Sequence, residues 1–292
     1  MKTVTLLSAP GSGTLDPALP ESLRNAWGGG EIRWLAPDEA AEFDVKQAPE
    51  NEAHVRAELD LLGMDLVVQE AEERRKRLLI ADMDSTMIRQ ECIDELAAEA
   101  GVGERVAAIT ARAMNGELDF EGALRERVGL LRALPVETIE RVLEHRIELM
   151  PGGETLVATM RANGAATLLV SGGFTAFAGP LAKRIGFDEH RANELLHAEG
   201  LLTGLVAEPI LGRDAKVVAL RETAERLGLT PADAIAVGDG ANDLGMLALA
   251  GTGVALHAKP VVQAAAPHRV NHGDLTALLY LQGYMKNELL TP

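Results

Sequence analysis

The sequence contains a single cysteine, Cys92, so no intrachain disulfide can form, and this fits a reducing cytoplasm. No apolar run approaches the ~18–20 residues that a membrane-spanning helix needs. The apolar run at residues 4–7 indicates a strand rather than a signal peptide. Positive charge is scarce, because 28 Lys and Arg against 44 Asp and Glu give a net charge of −16. We therefore expect a cytoplasmic protein that binds neither nucleic acid nor membranes, and that captures any anionic substrate at a local positive site.

The length of 292 residues allows two domains, and 47% hydrophobic residues are enough for each to have its own core. Strand patterns at 2–9, 31–35, 42–47 and 65–69 enclose helical patterns at 17–27 and 51–63. The order β-α-β-β-α-β predicts a small α+β module of the ferredoxin-like type. A charged run at 72–77 follows. We place the boundary there, with predicted domains at 1–72 and 76–292.

From residue 78 onward the pattern changes to short, continuously apolar runs, at 78–81, 166–170 and 234–237. Such runs are typical of central parallel strands that are buried on both faces. Each run precedes a polar turn and a helical pattern, which predicts a doubly wound α/β sheet with ligands at the carboxyl ends of its strands. The insert at about 87–150 is rich in helix formers. It predicts a helical cap that moves about its ends near Met87 and Met150 to admit a substrate.

Polar residues follow each of the three predicted strands. They are Asp82 and Asp84 after the first, Ser171 and Gly172 after the second, and Asp239, Asn242 and Asp243 after the third. Two carboxylates that leave a buried strand together repel each other, unless a cation lies between them or one is protonated. Lys216 lies in the first turn of a further predicted helix. The acids suit Mg²⁺, and the lysine and helix N-termini suit phosphate oxygens, so the combination predicts phosphoryl transfer.

The nucleophile is predicted to be a carboxylate, because no histidine that could activate water lies beside these motifs. Asp82 is fixed by the end of its strand. Asp84 lies on the same side two residues later, where it can protonate the leaving oxygen and later accept a proton from water. This interpretation predicts an aspartyl-phosphate intermediate.

Four motifs resemble, in order and spacing, those of the haloacid dehalogenase-like (HAD) phosphatases. They are Asp82-x-Asp84-x-Thr86, Ser171, Lys216 and Gly238-Asp239-Gly240-Ala241-Asn242-Asp243. The longer strings, such as Val170-Ser171-Gly172-Gly173-Phe174, are most similar to the phosphoserine phosphatase family within that superfamily. The resemblance covers about residues 76–292. It implies a HAD-like fold and Mg²⁺-dependent hydrolysis of O-phospho-L-serine, the last step of L-serine biosynthesis.

The resemblance also implies a role for each matching residue. The implied roles are the nucleophile (Asp82), the acid/base (Asp84), the Mg²⁺ ligands (Asp82, Asp239 and the backbone carbonyl of Asp84), a carboxylate that orients the metal shell (Asp243) and the phosphate site (Ser171, Gly172 and Lys216, with Asn242 beside it). In the cap, Glu91 would face the ammonium of serine and Arg127 its carboxylate, while Met114 and Phe120 would line the closing surface. The pair suits a zwitterion, since it offers one anion and one cation, and the planar fork of arginine matches a carboxylate.

Two other interpretations stay open. A HAD phosphatase could act on another small phosphate ester, such as phosphothreonine, phosphohomoserine or a sugar phosphate. Alternatively, the chain could act mainly as an amino-acid sensor or partner-binding module through residues 1–70, although both Asp82 and Asp84 are present. The strand–helix order of residues 1–70 resembles ACT-like domains. Modules of that type often pair edge to edge, which leaves a homodimer open.

Overall fold

The computed structural model describes residues 1–114 and 117–291, with Met114 described by its backbone alone. Within these ranges lie a four-stranded sheet, a six-stranded sheet and a two-stranded hairpin. No helix in the described part of the chain is long and apolar enough to cross a membrane.

The first 70 residues form an antiparallel sheet with two helices. Its elements are β1 (Lys2–Ser8), α1 (Ala18–Trp27), β2 (Arg33–Ala36), β3 (Ala40–Val45), α2 (Glu52–Leu61) and β4 (Met64–Glu70). The strand order is β2-β3-β1-β4 with antiparallel neighbours, which confirms the ferredoxin-like prediction. Glycines with left-handed backbone follow both helices, Gly28 at φ 63° directly after α1 and Gly63 at φ 75° two residues after α2.

Both faces of this sheet are buried. Val4 and Leu6 pack with α2 in the module's own core, whereas Leu7 and Val67 belong to the core of the following domain. Six of the seven β1 residues are buried, including the polar residues Thr3, Thr5 and Ser8. The module is therefore packed onto the rest of the chain rather than loosely attached to it.

Buried polar groups reinforce this packing. The carboxylate of Asp65 accepts three backbone N–H groups, from residues 271, 272 and 273, at 2.7, 2.9 and 2.8 Å. Glu39 accepts the hydroxyl of Tyr280 at 2.8 Å and the ammonium of Lys286 at 3.0 Å. Each carboxylate is at most 5% exposed. Buried carboxylates need such partners, so the interface requires both segments to be in place.

From residue 78 the chain alternates strands with helices. The elements are β5 (Leu78–Ala81), α3 (Cys92–Glu99), α4 (Gly103–Met114), α5 (Phe120–Gly129), α6 (Glu137–His145), α7 (Gly153–Ala162), β6 (Ala166–Phe174), α8 (Thr175–Ile185), β7 (Glu189–Asn193), β8 (Leu195–Ala198), β9 (Leu201–Val206), α9 (Arg213–Arg226), β10 (Ala234–Gly238), α10 (Leu244–Leu249), β11 (Thr252–Leu256), α11 (Pro260–Ala265), β12 (His268–Val270) and α12 (Ala277–Leu281). Short 3₁₀ turns lie at Pro231–Asp233 and Lys286–Glu288.

The six-stranded sheet has the order β12-β11-β10-β5-β6-β7, and all its pairs are parallel. On one face Leu79 and Leu169 pack against α7, α8 and α12. On the other face Leu78 and Ile80 pack against α9 and α10. Helices on both faces confirm the doubly wound prediction, and the three predicted strands β5, β6 and β10 lie side by side.

Helices α3–α6 form the insert between β5 and α7. At its base, Ile88 pairs with Leu149, and Met150 donates its N–H to the carbonyl of Met87 at 2.9 Å. The sequence did not predict a further attachment, the β8–β9 hairpin. Leu202 of this hairpin exchanges backbone hydrogen bonds of 2.8 and 2.9 Å with residues 133 and 134. The cap is therefore connected to the sheet through a hairpin as well as through its own two ends.

Candidate active site

The three predicted strand ends meet at one edge of the parallel sheet, as expected, and open into a cavity of about 800 Å³ below the cap. The predicted residues that line it are Asp82, Asp84, Glu91, Phe120, Arg127, Ser171, Gly172, Asp239 and Asn242. Lys216 and Asp243 lie buried next to it, with 2% and 0% exposure. The side chain of Met114 lies outside the described residues.

Lys216 occupies the first turn of α9, as predicted, and its ammonium lies between two carboxylates. Its Nζ is 2.6 Å from Oδ1 of Asp82 and 2.5 Å from Oδ1 of Asp243. Oδ2 of Asp243 accepts the N–H of Gly240 at 2.9 Å, so both oxygens of Asp243 have partners. Burial alone would lower the pKa of Lys216, but the carboxylates of Asp82 and Asp243 outweigh burial and raise it. The side chain therefore remains a cation.

The acidic residues near Lys216 carry more negative charge than one ammonium neutralises. Ligand oxygens of Asp82, Asp239 and Asp243 lie within 4.8 Å of one another. Burial and the proximity of Asp243 raise the pKa of Asp82 well above its usual value, against the opposing effect of Lys216. Burial and Asp243 likewise raise the pKa of Asp239 to about 6, although Thr86 donates its hydroxyl to that carboxylate at 3.0 Å. A divalent cation is the natural neutralising group for such a cluster.

Asp84 is held so that one oxygen is fixed and the other faces the cavity. Its Oδ1 accepts the backbone N–H of Cys92 at 2.9 Å, and its Oδ2 lies 3.4 Å from the hydroxyl of Ser171. Burial raises the pKa of Asp84, while the hydrogen bonds from Cys92 work in the opposite direction. A raised pKa keeps a proton available, and this is the property that a general acid needs.

The Ser171–Gly172–Gly173 segment leaves the regular pairing of the sheet. Val170 pairs with Arg191 of β7 and Phe174 pairs with Asn193, so three residues of β6 stand opposite one of β7. In this bulge the Ser171 hydroxyl accepts the N–H of Gly173 at 2.8 Å. A Cβ atom on Gly173 would lie only 2.8 Å from Oδ2 of Asp84, which explains why glycine occupies that position. All three residues of the bulge line the cavity.

The cap contributes a charged wall to the cavity. Glu91 accepts the hydroxyl of Ser85 at 2.7 Å, and burial together with the nearby Asp84 raises the pKa of Glu91 to about 7. Arg127 donates its Nε–H to the carbonyl of Ala123 at 3.2 Å. Its remaining guanidinium donors have no carboxylate within 4 Å among the described residues. Among the described residues, the wall therefore offers one acid, Glu91, and one guanidinium, that of Arg127, which forms no ion pair.

Phe120 lies over the Ser171–Gly173 bulge at the edge of the cavity. A Cβ atom on Gly172 would lie 3.1 Å from its ring, and one on Gly212 would lie 3.6 Å from it. The cavity is also lined by three charged residues that no motif indicated, Asp94, Arg213 and Lys259. Asp94 could have been found, because it lies in the first turn of α3, the helix for which Glu91 is the N-cap. Lys259 gave no such signal, because it lies far from the other motifs along the chain.

Comparisons with known proteins agree with this geometry. The family model for haloacid dehalogenase-like hydrolases matches residues 79–248. A protein named phosphoserine phosphatase from Archaeoglobus fulgidus is 42% identical over 235 residues, which cover 80% of this chain and 68% of that protein. Two other curated relatives are longer, and the chain spans 53% and 56% of their lengths.

Solved structures show the same architecture. A HAD family hydrolase from Salmonella enterica serovar Typhi superposes with a TM-score of 0.86 at 31% identity, over 96% of this chain and 97% of that one. A structure described as a phospho-aspartyl intermediate analogue of phosphoserine phosphatase superposes with a TM-score of 0.66 at 39% identity, over 73% of this chain and all of that one. The family model matches more than half of this chain, which therefore belongs to the haloacid dehalogenase-like hydrolases.

Proposed function

We propose that the chain hydrolyses O-phospho-L-serine to L-serine and phosphate, and that it thereby completes L-serine biosynthesis. One observation carries the proposal. The carboxylate of Asp82, which pairs with the buried Lys216, faces a cavity whose cap presents Glu91 and Arg127. The relatives named phosphoserine phosphatase support the choice of substrate.

The residues present fit the Mg²⁺ that the family implies. Oδ1 of Asp82 is occupied by Lys216 and by the N–H of Met83, and Oδ1 of Asp239 by Thr86. Oδ2 of each accepts no hydrogen bond from the described residues. Asp82 and Asp239, with the backbone carbonyl of Asp84, would hold the ion, and Asp243, which also pairs with Lys216, would orient the metal shell. When bound, the ion neutralises charge on the transferring phosphoryl group.

Asp82 is the nucleophile in this mechanism. Its carboxylate oxygen attacks phosphorus, and the bond between phosphorus and the serine oxygen breaks. Asp84 donates its proton to that departing oxygen, so serine leaves as a neutral alcohol. Asp84 then accepts a proton from water, whose oxygen attacks the phosphorus of the aspartyl phosphate. Phosphate leaves, and Asp82 returns to its carboxylate form.

The phosphate oxygens are held by groups that are already in position. Lys216 supplies a fixed ammonium, and the bulge supplies the Ser171 hydroxyl and the amide of Gly172. Asn242 lines the cavity beside them. Because these donors are oriented before the substrate arrives, little reorganisation is needed when charge moves onto the phosphoryl oxygens.

Glu91 and Arg127 select the amino acid. Glu91 accepts the substrate ammonium, which favours its ionised form and lowers the raised pKa of its carboxyl. Arg127, which forms no ion pair with any described residue, presents its guanidinium to the carboxylate. Phe120 covers the phosphate loop and excludes water from the reacting atoms.

The proposed domain limits remain those expected from the sequence, 1–72 and 76–292 with the cap at about 87–150. The first sheet lies within residues 2–70, and α3–α6 lie within the cap limits, which supports this division. A cytoplasmic location and an edge-to-edge homodimer stay predictions.

The test is release of phosphate from phosphoserine, with and without Mg²⁺, in a panel that includes phosphothreonine, phosphohomoserine, sugar phosphates and an aryl phosphate. We expect Mg²⁺-dependent activity that is highest with phosphoserine and is abolished by Asp82→Asn. A strong preference for a sugar phosphate would overturn the substrate assignment.

A second comparison separates substrate selection from chemistry. Arg127→Ala should lower kcat/KM for phosphoserine about 100-fold or more, because a desolvated charge pair is lost, and should affect an aryl phosphate far less. Arg125→Ala is the matched control on the same helix, since Arg125 is half exposed and pairs with Glu121 and Glu208. Equal losses with both substrates would contradict the assignment of Arg127.

A further inference from the structure

Asn193 has no part in the mechanism above, yet it is buried beside the phosphate site. It is the last residue of β7 and is 2% exposed. Its Nδ2 donates to the carbonyl of Gly172 at 2.9 Å and to the carbonyl of Leu211 at 3.3 Å. Its Oδ1 accepts the N–H of Leu211 at 2.7 Å. All the hydrogen-bonding groups of this amide are therefore used to hold backbone.

The bond to Gly172 fixes the direction of one peptide group in the bulge. A trans peptide is planar, and its C=O and N–H point in opposite directions. When Asn193 holds the carbonyl of Gly172, the N–H of Gly173 must point away from β7, and it donates to the Ser171 hydroxyl. Two consecutive glycines leave this peptide free to rotate in the absence of such an anchor.

The bonds to Leu211 fix the second half of the site. Leu211 lies two residues before α9 begins at Arg213, and α9 carries Lys216 in its first turn. A single buried side chain thus connects the loop that holds the Ser171 hydroxyl to the helix that holds the ammonium. The two segments have no other shared polar anchor of this kind among the described residues.

We propose that Asn193 is a positioning residue for the phosphate site, which sets the peptide orientation of the Ser171–Gly173 bulge and its distance from Lys216. The proposal rests on the proposed phosphatase function only in that the bulge binds phosphate. It does not depend on which alcohol carries the phosphate.

The test is binding of inorganic phosphate, measured by calorimetry in the presence of Mg²⁺. Asn193→Ala should raise the Kd for phosphate at least about tenfold, because part of the binding free energy must then be used to order the bulge. KM for phosphoserine should rise in parallel. The matched control is Gln282→Ala, since Gln282 is also 2% exposed and holds backbone, at Lys76 and Leu278, but lines no part of the cavity. This control should lose similar thermal stability and change Kd less than twofold.

Asn193→Asp provides a readout that a structural role alone would not move. The new carboxyl can accept the Leu211 N–H in either form, but it can donate to Gly172 only when protonated. Burial against two carbonyl oxygens raises its pKa. The ratio of the variant's Kd to the wild-type Kd should therefore fall as the pH is lowered from 8 to 5.5.

Two results would overturn the proposal: a folded Asn193→Ala protein that binds phosphate within twofold of the wild type, or an Asn193→Asp ratio that is constant with pH. If neither variant folds, NMR of the wild-type protein decides. Phosphate should then slow hydrogen exchange of the Asn193 side-chain amide, and unchanged exchange would overturn the proposal. A wild-type protein that binds phosphate but does not hydrolyse phosphoserine would refute the proposed substrate and leave the role of Asn193 intact.

Discussion

Replacing Lys216 with methionine removes the ammonium that lies between Asp82 and Asp243 and leaves a side chain of similar length. The two carboxylates are 6% and 0% exposed, so neither can regain water without local opening. Breaking a buried pair in this way typically costs about 3–5 kcal/mol. We expect the free energy of unfolding at pH 8 to fall by about that amount, and phosphate affinity to fall with it.

The loss should depend on pH with a definite sign. Without Lys216, the burial and the nearby Asp243 that raise the pKa of Asp82 act unopposed in the folded state, whereas the unfolded chain keeps the usual value. A group whose folded pKa is raised contributes stability that is present at low pH and is lost as the pH rises through that pKa. The difference between Lys216→Met and the wild type should therefore be smaller at pH 5 than at pH 8.

The assay is urea unfolding at both pH values in EDTA, so that no metal compensates for the lost ammonium. The double variant Lys216→Met/Asp243→Asn removes one charge of each sign. It should be less destabilised than the sum of the single variants by about 1–3 kcal/mol, because the two groups are in contact at 2.5 Å. Strictly additive costs, together with a pH-independent loss for Lys216→Met, would show that these charges are not coupled.

Three further predictions concern other residues. Because burial raises the pKa of Glu91 to about 7, KM for phosphoserine should rise as the pH falls below 7 and the carboxyl is protonated. An aryl phosphate serves as the control, and an identical dependence of KM on pH for both substrates would contradict the role of Glu91. A Cβ at Gly238 would lie 2.3 Å from Cγ of Asp243, so Gly238→Ala should lower kcat more than tenfold and destabilise the fold by about 1–3 kcal/mol. Gly129→Ala is the control, because a Cβ there meets open space, and it should have neither effect. Burial lowers the pKa of His268 to about 4, so the unfolded chain binds this proton first as the pH falls from about 6.5. The free energy of unfolding should therefore drop by about 3 kcal/mol by pH 4, and urea unfolding of His268→Gln should show a flatter pH dependence.

The parts of the fold that sequence analysis predicted are those with strong local patterns. The runs at 78–81, 166–170 and 234–237 are continuously apolar because each strand is covered on both faces, and their polar ends follow directly in sequence. Strand β7 was missed because it is a polar edge strand, with the sequence EHRAN and only one fully buried residue. Strand β12 was missed because it has three residues.

The same distinction applies to the site. Asp82, Ser171, Lys216 and Asp239 could be assigned from motifs that stand at predictable strand or helix ends, and the structure brings them together. The role of Asn193 could not be assigned in this way, because it depends on contacts with Gly172 and Leu211. Gly172 lies 21 residues earlier in the chain, and Leu211 lies beyond the unpredicted β8–β9 hairpin. Roles that arise from a partner across the fold leave no periodic signal in sequence.

The docking of the first sheet has a consequence for how the chain folds during synthesis. Residues 1–70 leave the ribosome first, and domains generally fold as they emerge. Yet, among the described residues, the hydrogen-bond partners of the Asp65 and Glu39 carboxylates all lie in residues 271–286. Until translation reaches that point, the nascent sheet must keep one apolar face and two carboxylates in contact with water or a chaperone. The packing of this sheet therefore has to follow the synthesis of residues 271–286.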